Sequence, residues 1–257
     1  MTDVYFTPPV IEGNTVHYSW RVDPPSEFYL REDCRFEFPS DLDLSRVPSR
    51  AWWWLILMIH HLHWPILRPC RVHLPVRLGE AEIEFWRRLV ETGITTLDTY
   101  RGEEAPGDIE IIDGAAFLAE AHAVGTTDRC ATAFSGGKDS LLQAGLLAEL
   151  TDHPLLVTVT SPLPPMEDHL SSRRREVLSA MAARTDVEFV EVLSDVRSSW
   201  NNQWPRSLGY KNSVNELSDT LVYLGALMIV AIAKGAGQAL LASEVEVNTN
   251  AIIDGRF

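Results

Sequence analysis

The sequence has few cysteines and few basic residues, and both shortages limit what it can be. Its three cysteines, Cys34, Cys70 and Cys130, lie far apart and form no Cys-x-x-Cys pair. This spacing argues against a zinc site or a disulfide framework and suits a reducing compartment. Lysine and arginine number 22 against 36 aspartates and glutamates, which gives a net charge of −14. Proteins that bind nucleic acids usually present basic patches, and a negative net charge repels the phosphate backbone, so we expect no nucleic-acid partner.

Long hydrophobic runs are also lacking. The most apolar run, 51–59, is too short to cross a bilayer and is followed at once by His60 and His61. The first residues show no basic segment followed by an apolar one, so no signal peptide is predicted. With 257 residues, 46% of them hydrophobic, the chain is long enough for one large or two modest domains. We therefore expect a soluble, cytoplasmic protein that does not associate with membranes.

A strand–turn–helix pattern lies at residues 129–150. The apolar run 129–134 predicts a buried strand, and leucines at helical spacing follow up to residue 150. Between them, Gly136 and Gly137 allow the main chain to approach a ligand closely. The first N–H groups of the helix would face that ligand, which favours an anion such as phosphate.

The side chains of this turn suit a phosphate and its metal ion. Lys138 supplies a positive charge, Ser135 and Ser140 supply hydroxyl groups, and Asp139 supplies an oxygen ligand for Mg²⁺. The spacing matches neither the Walker loop nor Gly-x-Gly-x-x-Gly. The alternative is an ordinary Gly-Gly turn with serines that cap the helix.

Residues 135–140 match the Ser-Gly-Gly-x-Asp-Ser signature of the PP-loop ATP pyrophosphatase superfamily, which the sequence therefore resembles. The resemblance implies an enzyme that holds the β- and γ-phosphates of ATP on this loop and releases pyrophosphate. Members of the superfamily adenylate a carboxylate or carbonyl oxygen, which a second nucleophile then displaces. The resemblance assigns nucleotide binding to the whole loop, catalysis to Lys138 and Asp139, and Mg²⁺ to Asp139: Ser135, Gly136, Gly137, Lys138, Asp139 and Ser140.

Strands and helices alternate from residue 126 to the end. The strands are predicted at 129–134, 155–160, 187–193 and 239–242, and the helices at 138–150, 168–184 and 214–234. Near-continuous apolar strands in this alternation predict an α/β fold, a parallel sheet with helices on both faces. With the resemblance, this becomes a HUP or PP-loop Rossmann-like domain over 126–257. The loops after residues 134, 160, 193 and 242 are expected to line one cleft.

Residues 1–125 are predicted to form a smaller α+β region. It contains a β-hairpin at 15–38, strands at 72–76 and 109–112, and helices at 50–62, 80–91 and 115–124. Ser49 is the predicted cap of the first of these helices, and Gly93 the end of the second. The cluster of His60, His61 and His63 suggests either a metal site or a polar helix end, and its spacing favours the helix end.

Polar residues near the predicted strand ends supply further candidates. In PP-loop folds the second strand receives the adenine through main-chain contacts, which implies Thr160 and Ser161 here; a plain polar strand end is the alternative. The long connection 194–211 is rich in asparagine, tryptophan and basic residues. Because long loops are often functional, we expect Arg206, Tyr210 and Lys211 to bind an anionic substrate, with Lys211 also catalytic.

The last predicted strand runs into acidic residues. Glu244 is a candidate for substrate or metal binding, or for a base, and an exposed strand end is the alternative. Ser213 and Glu216 have the spacing of a capping box, which explains them structurally.

The layout of stretches 15–102, 134–140 and 212–246 also resembles bacterial UDP-N-acetylmuramoyl-L-alanyl-L-glutamate epimerases. This resemblance implies that ATP adenylates a terminal glutamate carboxylate, and that the activated α-carbon then loses and regains a proton. The chain ends at Phe257, sooner than those epimerases. We therefore expect either that a partner chain or a homo-oligomer completes the site, or that the activity has diverged.

Together these features predict an ATP-dependent, Mg²⁺-dependent enzyme that adenylates the carboxylate of a small-molecule or peptide-like substrate. One alternative is a PP-loop enzyme that forms amides or thioamides or modifies a nucleobase; the scattered cysteines argue against sulfur transfer. The other is a nucleotide-binding subunit without catalysis.

Overall fold

A computed structural model of the protein describes residues 1–104, 107–118, 127–161, 167–201, 203–210 and 214–241. Over these residues one sheet of ten strands runs through the molecule in the order β12-β9-β10-β11-β4-β3-β1-β5-β7, with β2 beside β3. Five of its nine strand pairings are parallel. Its strands are β1 (Thr2–Phe6), β2 (Val10–Glu12), β3 (Thr15–Asp23), β4 (Asp33–Glu37), β5 (Cys70–His73), β7 (Ile109–Ile112), β9 (Thr127–Ala133), β10 (Leu155–Thr160), β11 (Glu188–Ser194) and β12 (Ala236–Leu240), while β6 (Val76–Arg77) and β8 (Ala116–Phe117) form a separate parallel pair.

The six α-helices of the described residues connect or cover these strands. They are α1 (Ser49–His60), α2 (Glu80–Arg101), α3 (Lys138–Leu150), α4 (Glu167–Ala182), α5 (Trp204–Ser207) and α6 (Val214–Lys234). None of the described helices combines the length and the apolar character that crossing a lipid bilayer requires.

The parallel sheet with helices on both faces is confirmed. Strands β12, β9, β10 and β11 are parallel to one another in this order. A core cluster that includes Phe134 of the β9–α3 connection, Leu156 of β10 and Leu178 of α4 lies on one face. Helix α6 packs against the other face, on β9, β10 and β12, and against α1. The prediction was wrong for the last strand, since β12 begins at Ala236 and is largely exposed at the sheet edge.

The predicted N-terminal hairpin is also confirmed. Strands β3 and β4 pair antiparallel, with Thr15 opposite Glu37 and Ser19 opposite Asp33. The regular part of the returning strand, β4, begins only at Asp33, although the Glu32 carbonyl still accepts the Trp20 N–H of β3 at 2.8 Å. The other edge of β4 pairs antiparallel with β11, where Leu193 lies opposite Glu37. The hairpin therefore joins the N-terminal strands to the parallel strands in a single sheet.

Helix α2 is almost twice as long as predicted. The helix continues through Gly93. A Cβ at this position would lie only 3.0 Å from Leu62 Cδ2, so the contact with Leu62 favours a residue without a side chain there. The helix ends instead at Gly102, whose φ of 83° is left-handed. Helix α1 begins after Pro48, so Ser49 is its first residue and not its cap.

Two other predicted elements differ from the structure. Residues 116 and 117 form strand β8, and not the start of a helix; the rest of that predicted helix, from 119 on, lies outside the described residues. The predicted strand 72–76 is divided between β5 and β6. The long connection 194–211 is also partly regular, with a 3-10 turn at Val196–Ser199 followed by α5.

Candidate functional site

The strand–turn–helix pattern forms as predicted, and its two glycines shape the turn. Strand β9 ends at Ala133, and the Phe134 N–H still donates to the Val157 carbonyl of β10 at 2.7 Å. Gly136 then has a φ of 81°, which only glycine adopts readily. Gly137 is the N-cap of α3, and the helix begins at Lys138. The turn therefore leads from the buried end of a strand straight into a helix N-terminus.

Two serine hydroxyl groups hold this turn from within. The Ser140 hydroxyl donates to the Gly137 carbonyl at 3.0 Å, and it lies 3.3 Å from the Ser135 hydroxyl. The Gly137 N–H points at Ser135 Oγ at 3.4 Å. Ser140 is buried and Ser135 exposed. Ser140 thus stabilises the loop from its buried side, while Ser135 lies on its exposed side.

The backbone N–H groups at the start of α3 are suited to an anion. The first intrahelical bond is donated by Leu141 to the Gly137 carbonyl at 3.0 Å. The N–H groups of Lys138, Asp139 and Ser140 come before it, so no carbonyl of the helix is available to them. The N-cap residue, Gly137, has no side chain that could accept from them. The N–H groups and the positive end of the helix dipole are therefore directed at the loop.

The loop also lies where a ligand crevice is expected in an open parallel sheet. From β9 the chain moves through β10 to β11, and it then returns through α6 to β12 on the opposite side of β9. The strand order therefore reverses between β9 and β12. Ligands of such sheets bind at the carboxyl ends of the strands beside the reversal, which is the position of residues 134–137.

Lys138 and Asp139 occupy the first turn of α3. Lys138 is exposed and Asp139 is half-buried. The described residues contain no group of three metal-ligating side chains. Asp139 alone nevertheless fits Mg²⁺, because Mg²⁺ in nucleotide sites is commonly held by one or two carboxylates, by waters and by the phosphates themselves.

Thr160 and Ser161 lie at the end of β10, the strand next to β9. The Thr160 hydroxyl is buried and donates to Glu191 Oε1 at 2.9 Å, so its side chain is already engaged. Arg175 of α4 donates to the same carboxylate, at 3.2 Å from Oε2. Thr160 and Ser161 thus lie at the end of the strand next to the one that leads into the loop. Because the Thr160 side chain is bonded to Glu191, Thr160 would contact a ligand through its main chain.

Sequence reasoning missed Glu191 and Arg175 at this position. The signal was present, since Glu191 is a charged residue between two buried valines, Val190 and Val192, in a strand that was predicted to be apolar. A carboxylate on the α4 face of β11 needs a partner, and the sequence did not show that Arg175 and Thr160 would supply it.

Tyr210 and Arg206 are not beside the loop. Tyr210 is buried below Arg101, whose guanidinium carbon lies 5.8 Å from the ring centroid. The segment that carries it packs on the N-terminal strands: Trp200 pairs with Tyr29, and the Asn201 N–H donates to the Phe28 carbonyl at 2.7 Å.

Arg206 is exposed on α5, and Trp204 of the same helix lies 5.9 Å from Phe28. Strand β3, near which this segment packs, is four strand spacings from β9, about 19 Å along the sheet. The predicted substrate residues Lys211 and Glu244 lie outside the described residues, as do Ser213 and the strand end at 242.

The sequence predicted that the histidine cluster is a polar helix end, and this prediction was wrong. His60, His61 and His63 are all at least 96% buried. Tyr29 Oη lies 2.9 Å from His60 Nδ1, and the two Nδ1 atoms of His60 and His63 lie 3.3 Å apart. Burial, with a smaller effect of His61, lowers the pKa of His60 to about 3. Burial also lowers the pKa values of His61 and His63, so all three are neutral near pH 7.

Comparison with known proteins gives no relative: no protein-family model matches the chain, and no curated protein or solved structure resembles it significantly.

Proposed function

We propose that the protein is an ATP-dependent adenylating enzyme. A carboxylate oxygen of the substrate attacks the α-phosphorus of ATP, pyrophosphate leaves, and an acyl-adenylate remains. The observation that supports this is the loop at residues 135–140, where a left-handed Gly136 and a helix N-terminus with glycine as its N-cap lie at the reversal of the strand order. A nucleotide is the ligand that such a crevice most often holds in open parallel sheets.

Each residue of the loop has a role in this proposal. The N–H groups of Lys138, Asp139 and Ser140 bind the β- and γ-phosphates, and the Lys138 ammonium group offsets the charge of the departing pyrophosphate. Ser140 holds the loop shape through its bond to Gly137. Asp139 would hold Mg²⁺, which neutralises phosphate charge when bound. The main chain of Thr160 and Ser161 would receive the adenine.

The strand order supports the finer fold assignment as well. Numbered in chain order, the four parallel strands lie side by side as third, second, first and fourth. This is how the strand order 3-2-1-4-5-6 of dinucleotide-binding sheets begins. This order is compatible with the HUP or PP-loop fold, which therefore belongs to the proposal.

Within the adenylating class we favour a terminal glutamate as the acceptor, on the resemblance to the epimerases. Converting a carboxylate to an acyl-adenylate removes its negative charge and makes the α-proton more acidic. A base then removes that proton, reprotonation on the other face inverts the centre, and water cleaves the anhydride to release AMP.

The class is tested by its products. The protein is incubated with ATP, Mg²⁺ and a panel of carboxylates that includes glutamyl peptides, and the nucleotides are separated by chromatography. We expect AMP and pyrophosphate in equal amounts. ADP and phosphate would contradict the proposal, whereas nucleotide binding by calorimetry without turnover would support the non-catalytic alternative.

Asp139→Ala tests the assignment of the loop. Because the carboxylate would hold the metal at the phosphates, we expect pyrophosphate release to fall about 100-fold or more. Glu149→Ala is the matched control, since it removes an exposed carboxylate from the far end of the same helix. Equal activity of the two variants would remove Asp139 from the mechanism.

A further inference from the structure

Strand β7 is the last described strand of the sheet on the side far from β12. It pairs with β5 in a parallel register that sets Cys70 opposite Ile109 and Val72 opposite Ile111. The Cys70 N–H donates to the Asp108 carbonyl at 2.9 Å, and the Leu74 N–H to the Ile112 carbonyl at 2.8 Å. Because backbone groups alternate in direction along a strand, those of Ile109 and Ile111 point away from β5. No other described strand pairs with this edge.

A groove lies between this edge and helix α2. Its volume is about 500 Å³, and its apolar lining comes from both elements: Ile83, Val90, Ile94, Ile109 and Ile111. The part of α2 beyond Gly93 supplies Ile94. An open strand edge next to an apolar groove under a helix offers two kinds of contact. The edge provides main-chain hydrogen bonds, and the groove accepts alternate side chains of an extended chain.

The charges around the groove indicate the kind of chain that fits. Glu91, Asp108 and Glu110 line it, and all three are exposed. Arg87 is the cation among its lining residues, and it already donates to Glu84 at 3.0 Å. The rim is therefore negative, which favours lysine or arginine on the occupant.

We propose that this groove binds an extended segment of a partner protein, with alternating apolar and basic residues, which adds a strand to the β7 edge. The occupant is a peptide in the β conformation, because only such a chain satisfies the N–H and C=O groups of Ile109 and Ile111 together. The site is separate from the nucleotide loop, since β7 and β9 are seven strand spacings apart, about 34 Å along the sheet.

The edge strand β2 has different surroundings. Val10 and Ile11 of β2 are exposed, at 53% and 44%. Strand β2 pairs with β3, and the pocket beside Val10 is lined mainly by polar residues of β3 and β4 and not by an α-helix. It therefore serves as an internal control for an edge without an apolar groove under a helix.

The test uses the whole protein and short synthetic peptides. The probe is a fluorescein-labelled peptide of three Lys-Val repeats, and its binding is followed by fluorescence anisotropy. We expect saturable, micromolar binding that weakens with added salt. A Glu-Val analogue should bind at least about 10-fold more weakly, because its charges repel the rim. Absence of binding by the Lys-Val peptide would overturn the proposal.

Main-chain pairing has its own readout. Two further peptides carry N-methyl groups either on the lysines or on the valines, so each lacks the N–H donors of alternate residues. In an added strand one set of N–H groups faces β7 and the other faces solvent. We expect one of the two peptides to lose binding by about 10-fold or more while the other retains it. Equal behaviour of both peptides would exclude strand addition.

Variants locate the site. Ile94→Gln in the groove and Glu91→Gln on the rim should each weaken the Lys-Val peptide, whereas Ile11→Gln on the β2 edge should leave binding unchanged. Equal loss in the groove and β2 variants would place binding elsewhere and overturn the proposal. The groove could instead be occupied by a second copy of the chain, which sedimentation of the wild type and of Ile94→Gln would detect. A dimer in the wild type that is lost in Ile94→Gln would assign the groove to that second copy and contradict the proposal of a separate partner.

Discussion

At the scale of single residues, two glycines of one loop and helix have opposite requirements. Gly136 has a φ of 81°, where an L-residue is strained by about 1–2 kcal/mol. Gly145 lies in the middle of α3, is exposed, and has open space where a Cβ would be. Only the first needs to be glycine for the sake of its backbone.

We therefore predict opposite effects of two identical substitutions. Gly136→Ala should lower the free energy of unfolding by about 1–2 kcal/mol and weaken ATP binding, because the N–H groups of the loop move. Gly145→Ala should raise the free energy of unfolding by about 0.5–1 kcal/mol, since alanine is the better helix former, and should leave ATP binding unchanged. Urea unfolding and calorimetry measure the two quantities. Unchanged ATP binding in Gly136→Ala would show that the loop does not hold the phosphates.

The buried histidines predict how stability depends on pH. The pKa of His60 is about 3 in the folded protein and about 6.5 in an unfolded chain, so between these values the unfolded state binds the extra proton. The free energy of unfolding is thus fully retained above about pH 7 and falls as the pH drops below 6.5. From pH 7.5 to 5 His60 alone should remove about 2 kcal/mol. His61 and His63, whose pKa values burial also lowers, add to the loss.

Urea unfolding at several pH values between 7.5 and 5 measures this dependence. Replacing His60 with Gln should reduce the steepness of the fall, whatever its effect on stability at pH 7.5. A flat profile in the wild type would mean that the cluster is accessible to protons in the folded state.

At the scale of elements, helices α1 and α6 pack closely against each other. A Cβ added at Gly225 of α6 would overlap Leu55 Cδ1 of α1, and Leu55 is fully buried. The absence of a side chain at Gly225 thus allows the short distance between the two helices. Helix α6 lies between α1 and the parallel strands and contacts both.

Gly225→Ala should therefore destabilise the protein by about 1–3 kcal/mol through overpacking, although alanine favours the helix. Leu55→Ala should cost about 2–5 kcal/mol by leaving a cavity. In the double variant the new methyl group occupies part of that cavity, so the combined loss should be smaller than the sum of the two. Urea unfolding of the three variants measures the coupling, and additive losses would contradict the close contact.

The same scale shows which elements a sequence can predict. The bounds of α3, β10, α6 and β7 agree with prediction because local signals define them: a glycine turn, a capping pattern, or an apolar run of strand length. Helix α2 was predicted too short because a glycine often marks the end of a helix. Gly93 lies inside the helix instead, in contact with Leu62, 31 positions earlier. Residues 116 and 117 pair with β6, which no local pattern shows.

The candidate site divides in the same way. The loop at 135–140 was found because its glycines, its charge and its helix start are contiguous. The positions of Tyr210, near Arg101, and of the three histidines depend on packing between distant segments. Their residue types alone therefore suggested a substrate ligand for Tyr210 and a polar helix end for the histidines, where the structure has a core. Glu191 was missed for the same reason, because its partners Thr160 and Arg175 come from two other elements.

At the scale of the whole molecule, the two predicted regions share one sheet and one core. Strand β4 of the first region pairs with β11 of the second. Beyond this pairing, Arg31 donates to Asp195 at 3.1 Å and to Ser198 at 3.0 Å, and Asp195 accepts the Arg35 N–H at 2.8 Å. The main hydrophobic core includes residues of both regions, among them Trp20, Trp200 and Val230.

From this continuity we predict that the protein unfolds in a single transition. The eight tryptophans report largely on the first region, since six of them precede residue 126, whereas helices α3, α4 and α6 of the second region contribute strongly to far-ultraviolet circular dichroism. If the shared sheet couples the regions, urea curves from tryptophan fluorescence and from circular dichroism should coincide. ATP with Mg²⁺, if bound at the loop, should then shift both curves equally, because binding to one part stabilises the whole cooperative unit. Two separate midpoints, with only the circular dichroism curve moved by the nucleotide, would show that the β4–β11 pairing joins two domains that unfold independently.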